Sequence, residues 1–454
     1  MPRTVAVIDI GKTNAKLALV ADAAETAVRR TPNAVLRESP YPHYDTERLW
    51  QFILASLAEL NRETRIDAIS VTTHGATVAL IDADGALALP ILDYEHDGPD
   101  ALAPQYDAHR PPFAVTGTPR LPIGLNLGAQ LFWQARTFPH EFARTSAILM
   151  YPQYWAFRLS GLRANEVTSL GCHTDLWDWR KSDYSALVDR MGWRRLMAPI
   201  RAASDALGPI LPEIAATTGL DTATPVHCGI HDSNASLLPH LIVRKQPFSV
   251  VSTGTWVIAM AIGGEPVELD PGRDTLVNVN ALGAPVPSAR FMGGREFEML
   301  VGAQPPQPSE ADIAAVLASA TMLLPAVQQG SGPFASRQSG WVGEEPGRGR
   351  RVVASSFYLA MMTTTALELA GARGPAIVEG PLAANTVFLK MLAAATGRDV
   401  VATGAGTGTS VGAALLAGGD QASATRVLDD VTISSPGEVW DDYARRWREA
   451  VERS

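Results

Sequence analysis

Residues Thr4–Ala21 read TVAVIDIGKTNAKLALVA. The first part, Thr4–Ile10, is a β-branched, apolar strand. Gly11-Lys12-Thr13-Asn14 supplies turn residues, and Ala15–Ala21 resumes the apolar pattern. This spacing predicts a β-hairpin with a polar tip. About half a chain later, Pro247–Ala261 (PFSVVSTGTWVIAMA) repeats the form: strand, Gly-Thr turn, strand. Two hairpins of one design at that separation predict two similar halves.

The segments around the hairpins alternate in the same way. Thr46–Asn61 has helical periodicity, with Thr46 read as its N-cap, and Ile66–Thr72 is a buried-type strand ending at Thr73-His74-Gly75. Residues 97–122 are rich in Pro, Asp and His and read as loop. Ala129–Thr137 and Tyr151–Leu159 read as helices, Pro225–Gly229 as a short strand, and His231–Leu238 as the start of a helix. In the second half Ser355–Ala370 and Ala384–Thr396 are helical, with the strand Pro375–Glu379 between them. Gly404–Ser410 (GAGTGTS) is a glycine-rich turn opening a helix over 411–417.

Composition narrows the class. The chain has 454 residues, 46% hydrophobic and 19% charged, which suits several packed cores. A net charge of −9 disfavours a nucleic-acid surface. Two cysteines, Cys172 and Cys228, make neither a disulfide framework nor a four-ligand zinc set. The apolar runs read as strand-length, and no leader is read at the start, so the expected location is cytoplasmic.

Four motifs carry candidate chemistry. In Asp9–Lys16 (DIGKTNAK) the tip offers N–H groups and hydroxyls to phosphate oxygens, and a carboxylate at the strand end could hold Mg²⁺ through water. A plain hairpin with a solvated lysine fits the same residues. In Gly229–Asn234 (GIHDSN) an acid at a strand–helix junction is placed to take a proton from a hydroxyl, and it is equally a natural N-cap. Ser252–Trp256 (STGTW) is a second phosphate turn or an ordinary hairpin. Gly404–Ser410 lacks the lysine and spacing of a P-loop, yet a helix N-terminus can face a nucleotide.

The order of these motifs resembles the FGGY carbohydrate kinases, relatives of actin, hexokinase and the Hsp70 ATPase. Within that family it is most similar to the L-fuculose and L-rhamnulose kinases. The segments that carry the resemblance are IDIGKTNAKLALV (8–20), TPNA (31–34), ISVTTHGATVALIDADG (69–85), GLNLGAQLFW (124–133), HTDLWDW (173–179), GIHDSN (229–234), VVSTGTWVI (250–258) and IVEGPLAANTVFLKMLAAATG (377–397). The resemblance implies an α/β chain of two actin-like, ribonuclease-H-type domains with an interdomain cleft. It puts a sugar-binding domain at 1–243 and a nucleotide-binding domain at 244–454. It implies ATP and Mg²⁺ as cofactors and a small ketose as substrate, with a homodimer left open.

Residue by residue, the resemblance makes Asp9 the Mg²⁺-organising carboxylate. Gly11, Thr13 and Asn14 become the first phosphate loop, and Gly254 and Thr255 the second. Asp232 becomes the catalytic base, with His231 and Asn126 as sugar contacts. Gly380, Asn385 and Gly404 fall beside the nucleotide. The chain departs from the family at Glu379-Gly380-Pro381, where a Gly-Gly pair is usual and proline removes a backbone donor. It also departs at His74 and in the DYEHD loop at 93–97, so His74, Asp93, Glu95 and His96 are specificity candidates, with Gly75 a further substrate-binding candidate; a solvated loop fits Asp93, Glu95 and His96 as well. The activity implied is phosphorylation of a 6-deoxy-L-hexulose on C1. The alternatives are a pentulose 5-kinase and a non-catalytic nucleotide-binding regulator; retention of both Asp9 and Asp232 disfavours the regulator.

Overall fold

The computed structural model describes residues 3–319, 321–404, 408–418, 424–426, 428 and 430–454. These fall into two compact units. The first takes the described residues of 1–243, 277–285 and 406–428, and the second those of 244–276, 286–405 and 429–454.

In the first unit β1 (Val5–Ile10), β2 (Asn14–Ala21) and β3 (Ala24–Pro32) form an antiparallel meander. β1 also pairs in parallel with β4 (Ala68–Thr73). Beyond β4 lie β5 (Ala206–Pro209) and β6 (Pro225–His227), giving the order β5-β6-β4-β1-β2-β3. The short β7 (Ile230–His231) also pairs with β4 in parallel. All six residues of β1 and of β4 are buried, which explains why neither shows a solvent-facing polar alternation: strands covered on both faces need none.

Helix α1 (Thr46–Glu63) buries Leu49, Trp50, Ile53, Leu57 and Leu60, the spacing of one helical face. Its N-cap is Asp45, whose carboxylate accepts the Arg48 N–H at 3.0 Å; the sequence had pointed to the neighbouring Thr46. α2 (Tyr151–Ser160) packs its Tyr151, Tyr154 and Trp155 into the same core. The stretch 97–122, read as loop, contains three short helical turns at Gly98–Leu102, Ala103–Asp107 and Phe113–Thr116. α3 (Asp232–Val243) begins directly after β7.

The second unit repeats the plan. β8 (Phe248–Thr253) and β9 (Val257–Ile262) form the hairpin, and β9 continues to β10 (Pro285–Phe291). β8 pairs in parallel with β11 (Ala376–Glu379), then come β12 (Val400–Thr403) and the antiparallel β13 (Asp430–Ile433). Helix α4 (Arg348–Leu369) is long and apolar enough to cross a membrane by length and composition, and 83% of its most apolar window is buried inside the protein. It is the core helix of the unit, packed with α5 (Thr386–Thr396) and the C-terminal α7 (Glu438–Arg453). The sequence reading shortened α4 at its N-terminus because the Arg-rich start at 348–351 hides the helical pattern.

α6 (Thr409–Leu415) is the helix after the glycine-rich turn, and it clusters with the first unit. It crosses α3 so closely that a Cβ at Gly412 would collide with the Ala235 carbonyl. Residues 405–407 of the glycine-rich turn lie outside the described residues.

Candidate active site

In each unit the motif residues follow the carboxyl ends of neighbouring parallel strands, where α/β sheets place ligands. In the first unit, Asp9 is opposite Thr72 in the β1–β4 ladder, and Ile230 is opposite the same Thr72 from β7. Gly11, His74-Gly75 and Asp232 therefore leave adjoining strands at one end of one sheet. In the second unit Gly254, Gly380 and Gly404 directly follow β8, β11 and β12.

The first hairpin tip is pinned from outside. Gly11 N–H donates to Asn14 O at 2.9 Å, while the Asn33 side chain donates to Gly11 O at 2.8 Å and its N–H to Thr13 O at 2.9 Å. Gly11, Thr13 and Asn14 thus sit in one fixed turn, and Asn33, within the TPNA segment, is the strut.

Asp9 is buried at the base of this turn. Burial raises its carboxyl above the ordinary carboxylate range; hydrogen bonding from Thr409 and the charge of Lys16 oppose that shift, and the Asp232 charge adds to it. Its contacts converge on Oδ2: the Thr409 hydroxyl donates to it, Ser410 Oγ lies at 3.4 Å and Lys16 Nζ at 3.5 Å. Oδ1 takes no hydrogen bond from the described residues. One free carboxylate oxygen suits Mg²⁺, which keeps several waters and borrows few protein ligands. Among the described residues no group of three or more His, Cys, Asp or Glu could hold a metal by itself.

Asp232 is tethered in the same manner. Its Oδ1 accepts the Ser233 N–H at 2.6 Å and the Ser233 hydroxyl at 3.2 Å, and His231 Nε2 lies 3.2 Å away. Oδ2 takes no hydrogen bond from the described residues, and the side chain keeps 29% exposure, so an acceptor oxygen remains accessible. His231 is buried, and its backbone N–H donates to Thr168 Oγ1 at 3.0 Å. Thr168 in turn donates both its N–H (3.0 Å) and its hydroxyl to Glu166 Oε2. Burial pushes the Glu166 carboxyl up to about 7. His231 Nδ1 is a buried nitrogen without a partner among the described residues. A Cβ at Gly75 would lie 2.7 Å from His231 Nε2, so Gly75 is the space into which that ring fits.

Behind Gly75, His74 is enclosed by three tyrosines, with ring centroids 5.2 Å from Tyr44, 5.4 Å from Tyr94 and 5.1 Å from Tyr151. Its Nδ1 contacts Gly75 O at 2.9 Å, and its Nε2 is buried without a partner among the described residues. Burial pushes the imidazole down to about 4. Asp93 is also buried, and Lys12 forms an ion pair with it. Glu95 lies 3.4 Å from the same ammonium with its side chain 61% exposed. His74, Gly75, Asp93, Glu95, His231 and Asp232 thus line one neighbourhood.

Asn126 is set apart. It is fully buried, and its amide accepts from Leu121 N–H and Arg120 while donating to Pro119 O and His173 O. Its four hydrogen-bonding positions tie loops together.

In the second unit, Gly380 has φ 81°, and a Cβ there would strike the Thr253 carbonyl. The Thr253 hydroxyl bonds Glu379 O and receives the Leu382 N–H at 3.1 Å. Proline at 381 costs nothing here because it opens a short helical turn, a position whose N–H has no partner in any case. Asn385 caps α5, accepting the Phe388 N–H at 3.0 Å, and donates to Ser356 Oγ at 3.0 Å. Gly254 and Thr255 form the tip of the second hairpin, closed by Gly254 N–H to Trp256 O at 2.9 Å.

Two contacts had no signal in the sequence: Lys12 with Asp93, and Thr409 with Asp9. Each joins residues far apart along the chain, where no local pattern operates.

Two α/β units, each a hairpin flanked by a parallel strand with glycines at the carboxyl ends, define the actin-like, two-domain kinase fold. Residues 4–239 match the FGGY family of carbohydrate kinases, N-terminal domain, and residues 245–426 match carbohydrate kinase FGGY, C-terminal domain. The protein belongs to the FGGY family of carbohydrate kinases. A solved carbohydrate kinase from Novosphingobium aromaticivorans is 36% identical, with a TM-score of 0.92 over 100% of this chain and 99% of that one. L-fuculokinase of Escherichia coli (strain K12) is 26% identical over 270 residues, 56% of this chain and 55% of the relative. A probable L-xylulose kinase of Pasteurella multocida (strain Pm70) is 23% identical over 279 residues, 56% of this chain and 55% of that protein. The matched part of this chain spans about half the length of these curated relatives.

Proposed function

We propose that the protein transfers the γ-phosphoryl group of ATP to a hydroxyl of a small neutral ketose, with Asp232 as general base. The observation that carries this reading is the tethering of Asp232. Oδ1 is held by Ser233 and His231, which fixes the carboxylate, and Oδ2 remains to accept the hydroxyl proton. Asp9, at the same sheet end, is the residue that would hold Mg²⁺ through water with its uncommitted Oδ1. When bound, the ion supplies charge neutralisation on the phosphate oxygens. Gly11, Thr13 and Asn14 then offer donors to phosphate from one hairpin, and Gly254 and Thr255 from the other. Gly380, Asn385 and Gly404 belong to the nucleotide side in the second unit.

The substrate read here is a 6-deoxy-L-hexulose of the fuculose or rhamnulose type, phosphorylated on C1. The similarity to L-fuculokinase supports it. The test is ADP release over a panel of L- and D-ketoses and polyols, with phosphorus NMR to place the phosphate. A C5 phosphate on xylulose would replace the hexulose reading by the pentulose one. Asp232→Asn should lower kcat by about 10²–10⁴-fold with ATP binding retained. A variant with near wild-type turnover would remove Asp232 from the base role.

A further inference from the structure

The lysine at the hairpin tip turns away from a phosphate role. Lys12 Nζ is ion-paired to Asp93 Oδ1 and lies 3.4 Å from both Glu95 Oε2 and the Tyr44 hydroxyl. It also lies 4.5 Å over the Tyr94 ring and 5.2 Å over that of Tyr44. Its side chain is 19% exposed, against 7% for Asp93. Both tyrosines pack on His74, and Gly75, the next residue, borders the His231 ring. The ammonium therefore belongs to the wall that leads to Asp232.

Among the described residues, every hydrogen bond and ion pair on the Asp93 carboxylate meets at Oδ1. Besides Lys12, that oxygen is 3.5 Å from the Tyr44 hydroxyl and accepts the Glu95 N–H at 3.2 Å. Oδ2 receives no hydrogen bond from the described residues. A carboxylate this buried would be costly without a paired cation. Lys12 supplies the cation on one oxygen and leaves the other as an acceptor. One ammonium among two carboxylates leaves the cluster negative, which repels an anionic sugar acid and suits a neutral polyol.

We propose that Lys12 is a positioning residue for substrate recognition: it holds Asp93 by Oδ1 so that Oδ2 accepts a hydroxyl of a neutral, polyhydroxylated substrate. The inference rests on the sugar-kinase reading. It differs from the expectation of a solvated lysine and from a role on phosphate.

The test uses the full chain with the best sugar from the panel and the corresponding sugar acid. Lys12→Met should raise the sugar KM roughly 10-fold or more, the effect of one lost charged hydrogen bond, and leave the ATP KM within about 2-fold. Lys12→Arg should recover most of the affinity. Asp93→Asn should match Lys12→Met, and the double variant should be no worse than either. If Lys12→Met does not fold, Lys12→Arg and Asp93→Asn decide the matter through the same two KM values. A rise in ATP KM with an unchanged sugar KM would move Lys12 to the phosphates and overturn the proposal. So would two unchanged KM values, or equal turnover of the sugar acid by the wild type. A wild type that phosphorylates no sugar in the panel would instead refute the kinase reading itself, and this inference with it.

Discussion

Gly75→Ala adds one methyl group, and the structure says what that methyl meets. The new Cβ would lie 2.7 Å from His231 Nε2 and 3.2 Å from its Cδ2. Ordinary carbon–nitrogen contact begins near 3.4 Å, so the ring must retreat by about 0.7 Å. It cannot do so by moving its backbone, because His231 N–H is bonded to Thr168 Oγ1 at 3.0 Å and the residue is paired with Thr73 in the sheet. The ring must rotate, and its Nε2 then leaves the Oδ1 of Asp232, which it contacts at 3.2 Å. Misplacement of a reacting group by about 1 Å costs about 10²-fold. The expected result is a kcat lower by about 10–100-fold, an unchanged ATP KM, and a stability loss of about 1–3 kcal/mol from overpacking. Steady-state kinetics and thermal unfolding measure both. A double-mutant cycle separates the cause: in a His231→Ala background the methyl has room, and Gly75→Ala should cost little more. A folded Gly75→Ala enzyme with wild-type kcat, or full additivity with His231→Ala, would refute the argument.

Two further outcomes follow from the same neighbourhood. Thr409→Val removes the hydroxyl that donates to Asp9 Oδ2; the Mg²⁺ concentration for half-maximal rate should rise about 10-fold, Mn²⁺ binding followed by spin resonance should weaken in parallel, and Thr409→Ser should restore both. An unchanged metal dependence would place the metal elsewhere. His74, pushed down to about 4 by burial, with the Gly75 carbonyl and Asp232 opposing that shift and Lys12 adding to it, is neutral in the folded protein where the unfolded chain is already protonated. Its contribution is full above pH 6.5 and is lost as pH falls toward 4, by about 3 kcal/mol. Glu166, raised to about 7, works oppositely, its contribution being full below 4.5 and lost as pH rises through 7. Urea unfolding of wild type and His74→Asn at pH 7 and pH 4.5 should therefore show a smaller acid loss in the variant; equal losses would exclude His74 as the source.

The sheet architecture was legible because it rests on short-range patterns. β1 and β8 are strand-length runs rich in apolar and β-branched residues, each followed by a tip that carries glycine and threonine, and a hairpin needs nothing more. The buried parallel strands β4 and β11 were legible for the same reason, whereas β7 and β12, two and four residues long, are too short to show a pattern. Boundaries were less so. Asp45 and Thr46 are both good N-caps, and only the hydrogen bond to Arg48 separates them. Asn126 illustrates the opposite problem: a buried amide with four loop contacts has the same letter as one that faces a ligand.

Asp232, Asp93 and Asp9 show how legibility falls with separation along the chain. Each is held by one oxygen, and each needs a tether that the sequence must supply. For Asp232 the tether is Ser233 and His231, adjacent residues within the same GIHDSN motif. For Asp93 it is Lys12, from a different element, and the lysine reads as solvent-exposed until the structure brings it onto Tyr94. For Asp9 it is Thr409, delivered by a helix whose approach depends on Gly412 lying against Ala235. The common chemistry explains the repetition. A carboxylate tethered at both oxygens would be spent as an acceptor, and one tethered at neither would lose its orientation. Binding one oxygen fixes direction and leaves a lone-pair face open, which suits the base, metal-organising and hydroxyl-accepting roles proposed for Asp232, Asp9 and Asp93.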